Sequence, residues 1–284
     1  MIDHTSLLDE PKFIDMYNIV YIDEKWFYMS KNTEKYYLLP VEEDPLRQCQ
    51  SSHYIGKVMF LVAMGCPKFD NEGNEIFSGK VGVWPFVTRE PALRISVNRE
   101  VGTLVMKPIT SVNRDINRKW LIEKVIPKIQ SCWPREELGS AIFIQQDNAR
   151  SHVDPNDEDI IRVGTQNGFN IRLMCQPANS PDLNILDLGF FSAIQSLQQK
   201  VRANSVDELI EAVKKSFDEY PTKKVEYVWL TLQLCMREIL KVEGSNRYKI
   251  PDVNKARLDR EGLLPTQIVC DPIVIQNVRN QLQL

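Results

Sequence analysis

Two short apolar runs, far apart in the chain, each lead into an aspartate, and this pairing restricts the fold more than any other feature. Met16-Tyr-Asn-Ile-Val-Tyr-Ile22 precedes Asp23, and Ala141-Ile-Phe-Ile144 leads through two glutamines to Asp147. Apolar runs this short and rich in β-branched residues read as strands buried on both faces. In an open α/β sheet, ligands bind at the ends of such strands. If the two strands are neighbours, their backbones lie ~4.8 Å apart. Two bare carboxylates at ~4 Å repel by about 4 kcal/mol at an effective dielectric of 20, which is tolerable only with a cation or a proton between them.

An oxygen-rich cage for Mg²⁺ or Mn²⁺ needs a third acid. Asp187 lies on the same helical stripe as Phe190, Phe191 and Ile194, at offsets of 0, 3, 4 and 7. That places it on the inward face of its helix. The same position also suits an acid in the first helical turn, with Asn184 as the cap. Asp182 is the rival ligand. It follows Pro181 in a turn, where aspartate is expected for local backbone hydrogen bonds. The residues alone leave both readings open.

Further strands are expected at Tyr36–Leu39, Lys57–Met64 and Asn170–Cys175. Residues 66–110 are rich in Gly, Pro and charge and read as a long insertion of short strands rather than core. Ile122, Val125, Ile126 and Ile129 have helix spacing, with Pro127 placed to kink or shorten the helix. A helix follows Asn184, with a stripe of Phe190, Phe191, Ile194, Leu197 and Val201. Ser205-x-x-Glu208 is a capping box ahead of Leu209, Ile210, Val213 and Phe217. A third stripe runs through Val225, Val228, Trp229, Leu232, Met236, Ile239 and Leu240, and these stripes read as core packing. Asp154, Asp157 and Asp159 lack the spacing of a calcium loop and read as a helix start. The polar tail after Gly244 either wraps over the domain or frays.

The net charge of −3 does not suggest a nucleic-acid binder, but its distribution is uneven. Residues 47–135 hold 14 bases and 7 acids, net +7, within an otherwise acidic chain. Such a block fits either a polyanion-binding face or an unevenly charged solvated surface. Arg89, Arg94, Arg99, Arg114, Arg118 and Lys119 are its candidates for phosphate contacts. The six cysteines form no CxxC pair, which argues against zinc and against a disulfide scaffold and suggests a reducing compartment. No apolar run approaches the ~18 residues of a membrane span, so no membrane partner is expected. There is no P-loop, GxGxxG, HExxH or nucleophile elbow, so nucleotide hydrolases, dehydrogenases, zinc proteases and α/β-hydrolases are unsupported.

Three segments carry a resemblance: Tyr21-Ile-Asp-Glu-Lys-Trp-Phe27, Gln145-Gln-Asp-Asn-Ala-Arg-Ser-His152 and Ser180-Pro-Asp-Leu-Asn-Ile-Leu-Asp-Leu-Gly-Phe-Phe191. Together they resemble the catalytic domain of Tc1/mariner-type transposases. Thirty-nine residues, 148 to 186, separate Asp147 from Asp187, a spacing similar to that of the plant mariner-like DD39D branch. Lys57-Val-Met-Phe60, Gly79-Lys-Val-Gly-Val-Trp-Pro-Phe86 and Gln195-Ser-Leu-Gln198 also look like that branch. The resemblance covers roughly residues 12–245.

It implies an α/β, RNase H-like fold: a mixed five-stranded sheet flanked by helices, with an insertion between the first and second catalytic strands. Asp23, Asp147 and Asp187 become, in that order, the acids of a catalytic triad that also holds two Mg²⁺ or Mn²⁺ ions, so Asp187 is preferred over Asp182. The chemistry implied is phosphodiester hydrolysis followed by DNA strand transfer, carried out in the nucleus on transposon ends and target DNA. The resemblance also implies a homodimer, with residues 66–110 as the candidate dimer-contact segment and residues 246–284 as a C-terminal tail. Asn148 and His152 match the second motif without an assigned step, and His152 reads best as a brace for its loop. The helix-turn-helix modules that precede the catalytic domain in the family have no room before Asp23, so an N-terminally truncated copy is expected. The alternatives are an inactive or domesticated module that associates with DNA or dimerises, and an RNase H-like nuclease that does not transpose.

Overall fold

The computed structural model describes residues 11–13, 16–29, 42, 55–95, 100–265 and 267–282. The strand expected at Tyr36–Leu39 lies outside them. The central sheet contains β1 (Ile19–Tyr28), β2 (Lys57–Gly65), β5 (Lys80–Pro85), β8 (Ala141–Gln146) and β9 (Asn170–Cys175), in the order β5-β2-β1-β8-β9. β1, β8 and β9 run parallel, while β2 and β5 are antiparallel to their neighbours. This is the mixed five-stranded sheet of an RNase H-like α/β fold, with β1 at its centre.

The two-residue period of β2 assigns its side chains to two cores. Val58, Phe60, Val62 and Met64 face one side, where α4 (Phe191–Gln198), α5 (Val206–Asp218) and α6 (Thr222–Lys241) pack. Leu61 and Ala63 face the other. There they meet Leu121, Val125, Ile126 and Ile129 from a helical arm made of α1 (Arg114–Trp120), a π-helical turn at Leu121–Val125 and α2 (Ile126–Cys132). Pro127 does not break this arm. It sits at the start of α2, directly after the π turn, where a missing N–H costs least.

α3 (Glu158–Gly164) is the crossover between β8 and β9. Asp157 caps it by accepting from the amides of Asp159 and Ile160, so the acidic cluster is a helix start. The expected box opens α5: Ser205 Oγ accepts from Glu208 N, and the Glu208 carboxylate accepts from Asn204 N.

Three sequence expectations need correction. First, β1 does not end at Asp23. β8 pairs with it only as far as Tyr21, but antiparallel pairing with β2 carries it on to Tyr28, so Asp23 lies mid-strand where its parallel neighbour has just departed. Second, residues 66–110 are not wholly outside the core. β3 (Lys68–Phe69) with β4 (Glu75–Phe77), and β6 (Val87–Pro91) with β7 (Leu104–Pro108), are peripheral hairpins. β5 between them is the fifth strand of the main sheet, with Val81 and the following Phe86 buried. Third, Asp187 is not part of a continuous helix with Ile194. Leu186–Phe190 is a π-type turn, interrupted at Gly189, whose φ of 125° favours glycine.

The tail after Gly244 wraps rather than frays. α7 (Lys255–Arg260) is tied to α6 by Tyr227 Oη donating to Asp259 Oδ2 at 2.9 Å. Val269 bridges to Lys12, and Ile268, Cys270 and Ile275 are buried with Phe13 and Met16. α8 (Pro272–Leu282) follows. Among the described residues no helix is long and apolar enough to cross a membrane, and Cys132, Cys175, Cys235 and Cys270 are free thiols.

Candidate active site

Asp23 and Asp187 come together beside the central strand from distant parts of the chain, and Asp147, from a third part, lies near enough for its charge to act on both. Their charges act on one another: Asp187 and Asp147 both raise Asp23, and Asp147 raises Asp187. Asp187 also shares a hydrogen bond with Asp23. Asp23 Oδ1 accepts from Glu24 N at 2.7 Å, and its Oδ2 accepts from Asn184 Nδ2 at 3.1 Å. Burial, and then the charge of Asp187, push the Asp23 carboxyl up to about 7. Asp187 is also raised, by burial first, while the Lys25 ammonium works in the opposite direction.

Asp147 is held differently. Its carboxylate accepts from Ala149 N at 2.8 Å and lies 2.6 Å from His152 Nδ1. The other imidazole nitrogen lies 3.1 Å from Glu24 Oε2. Burial opposes a charge on His152, but the hydrogen bond and charge of Glu24, followed by those of Asp147, outweigh it and push the imidazole up to about 9. At neutral pH His152 is therefore an imidazolium clasped between two carboxylates. It braces the second-acid loop.

Glu24 was not singled out in the sequence. Period-two alternation places it on the opposite face of β1 from Asp23, and only the position of His152, 128 residues away, gives it a role. Asn184 read only as a helix cap. It does accept from Leu186 N, at 3.0 Å, but its amide also steadies Asp23 across 161 residues. Buried amides complete the frame. Gln145 Nε2 donates to Leu183 O at 2.9 Å, and Asn148 Nδ2 donates to Gln176 O at 2.6 Å. They join the second-acid strand to the third-acid loop. Asp182 points elsewhere, its Oδ2 accepting from Tyr248 Oη at 2.7 Å. Asp187, rather than Asp182, reaches Asp23.

Two of the basic candidates are committed to this frame. Arg114 donates to the carbonyls of His152 and Arg150, and Arg118 is paired with Asp157 and Asp159. Arg89, Arg94 and Lys119 remain surface residues, and Arg99 lies outside the described residues.

The donor set fits a hard divalent cation: it is all oxygen, with two partly buried carboxylates raised by burial and by neighbouring negative charge. A cation between them would relieve that conflict. As placed, Asp147 leans toward His152, and among the described residues no three Asp, Glu, His or Cys side chains enclose a single ion position.

No family model and no curated protein matches the chain. Solved structures do. The Mos1 strand transfer complex is 18% identical with a TM-score of 0.57, covering 82% of this chain and 56% of that one. The Mos1 mariner paired-end complex with Mn is 18% identical at 0.52, covering 76% and 53%, and the corresponding complex with Mg is 17% identical at 0.52, covering 82% and 57%. The chain thus spans little more than half the length of these structures. At such identities the likeness is one of fold, and the chain has the RNase H-like, Tc1/mariner transposase-like fold found in the Mos1 mariner transposase.

Proposed function

We propose that this chain is the catalytic domain of a metal-dependent DNA transposase of the plant mariner-like DD39D branch. It acts in the nucleus on transposon ends and target DNA by phosphodiester hydrolysis and strand transfer. The observation that supports this reading is the approach of Asp187 to Asp23, with the charge of Asp147 acting on both, beside the central strand of an RNase H-like sheet. The three acids would hold two Mg²⁺ or Mn²⁺ ions, which supply a nucleophile at neutral pH and stabilise the leaving oxygen. The protein's own contribution is placement. Asn184 orients Asp23, while Glu24 and His152 together orient Asp147.

The β6–β7 hairpin supports the dimer. Beyond its strands Leu93 and Ile95 are 82% and 76% exposed, and Val101 and Leu104 add to the same apolar tip. Exposed apolar side chains grouped on one hairpin suit burial against a second copy.

The second reading is a chain that associates with DNA without cleaving it. Nicking of supercoiled plasmid in Mg²⁺ or Mn²⁺ separates the two. The transposase reading requires cleavage that Asp147→Asn abolishes. Equal background cleavage by both proteins would leave the non-catalytic reading.

A further inference from the structure

The third-acid loop is anchored on the side facing the acids by Gln145, Asn148 and Asn184. Its other side is held by a residue from beyond α6. Tyr248 Oη donates to Asp182 Oδ2 at 2.7 Å, and the Tyr248 hydroxyl also hydrogen-bonds the thiol of Cys235, which is fully buried on α6. Asp182 belongs to the single 3₁₀ turn Pro181–Leu183, and Asn184 closes that turn with its amide on Pro181 O. Asp187 N in turn donates to Asn184 O at 3.2 Å. One hydrogen-bonded path therefore runs from the C-terminal segment, through one helical turn, to Asn184 on Asp23 and to Asp187 itself.

We propose that Tyr248 is a positioning residue for the third acid: by gripping Asp182 it sets the 181–183 turn and seats Asn184 and Asp187 against Asp23. The segment after α6 is then part of the catalytic unit rather than a tail appended to it. The physical reason lies in the loop's composition. The loop, with Pro177, Pro181 and a left-handed Asn179, is held together as a unit by its own bonds from Leu183 N to Ser180 O and from Asn184 N to Pro181 O, so the placement of that unit is set by its anchors. Without the anchor on the Tyr248 side, the turn is held only through Gln145, Asn148 and Asn184, and its shift moves Asp187 relative to Asp23. Groups that orient metal ligands in this way typically change metal affinity 10–100-fold when removed.

This inference rests on the cation site proposed above, and binding of Mn²⁺ to the full chain tests the two separately. Free Mn²⁺ is followed by its electron paramagnetic resonance signal. Tyr248→Phe and Asp182→Ala are each expected to weaken Mn²⁺ binding about tenfold. The double variant should be no weaker than Asp182→Ala alone, because both substitutions remove the same grip. Asp23→Asn, which removes a ligand, should abolish tight binding. If Asp23→Asn loses Mn²⁺ while Tyr248→Phe and Asp182→Ala bind like wild type, the latch is refuted and the site stands. Additive losses in the double variant also refute it, since they show two independent effects. If the wild-type chain does not bind Mn²⁺, the site reading fails and the latch fails with it. Should Tyr248→Phe not fold, Asp182→Ala, which keeps the tyrosine packing, tests the same grip: wild-type Mn²⁺ affinity in that variant refutes the latch.

Discussion

Replacing Asn184 with alanine removes two bonds at once. One is the donation from Nδ2 to Asp23 Oδ2 at 3.1 Å, and the other is the acceptance by Oδ1 from Leu186 N at 3.0 Å. Asn184 and Leu186 are both buried, so water does not freely replace either partner. A hydrogen bond to a charged group contributes about 1.5–3 kcal/mol, and an orphaned buried N–H costs about 1–3 kcal/mol. Some relaxation toward solvent at Asp23 offsets part of this, and the expected loss is about 2–4 kcal/mol. Urea unfolding followed by far-ultraviolet circular dichroism in EDTA measures it, as a lower midpoint at unchanged slope. Asn184→Asp supplies the control. It keeps an acceptor for Leu186 N but sets another carboxylate against Asp23, a repulsion a divalent cation would neutralise. Its deficit in EDTA should therefore shrink in saturating Mn²⁺, whereas the alanine deficit should persist. A loss below about 0.5 kcal/mol for Asn184→Ala would refute the reasoning, because that is the scale of an ordinary surface substitution. An Asn184→Asp deficit insensitive to Mn²⁺ would refute the charge argument.

Other consequences follow from the packing and the surface. A Cβ on Gly164 would lie 2.4 Å from the backbone oxygen of Ile171, so Gly164→Ala must push α3 off β9; a loss of about 1–3 kcal/mol in urea unfolding is expected. Burial pushes the Cys270 thiol up to about 11. In the unfolded chain a thiol ionises near pH 8.5–9, so Cys270 stabilises the fold below that range and loses its contribution as pH rises toward 11. The urea midpoint should fall over that window by less in Cys270→Ala than in wild type, while exposed Cys175 should react with a thiol reagent in the native state. Leu93→Asp with Ile95→Asp should turn a dimer into a monomer in light scattering if the hairpin tip is the contact, and should leave the mass unchanged if it is not.

Much of the molecule was legible because the signals are local. Apolar runs marked β2, β8 and β9, the Ser205–Glu208 box marked the start of α5, and helical stripes identified the faces that cover the sheet. In each case the signal lies within a few residues along the chain. Segments rich in Gly, Pro and charge were harder. β5 read as insertion because its burial depends on pairing with β2, and Tyr36–Leu39 falls outside the described residues.

What the amino-acid order marked by itself was the strands β2, β8 and β9, the helix starts and the candidate acids, with Asp182 and Asp187 as rivals for the third, since spacing and side-chain type carry those. The extension of β1 past Asp23 needed the hydrogen bonds of β2. The clasp of Glu24 on His152, the amide of Asn184 on Asp23 and the grip of Tyr248 on Asp182 join residues 128, 161 and 66 positions apart. No local periodicity encodes such pairs. They exist because packing two layers of helices on one twisted sheet brings these side chains within hydrogen-bond distance, and only tertiary structure decides that.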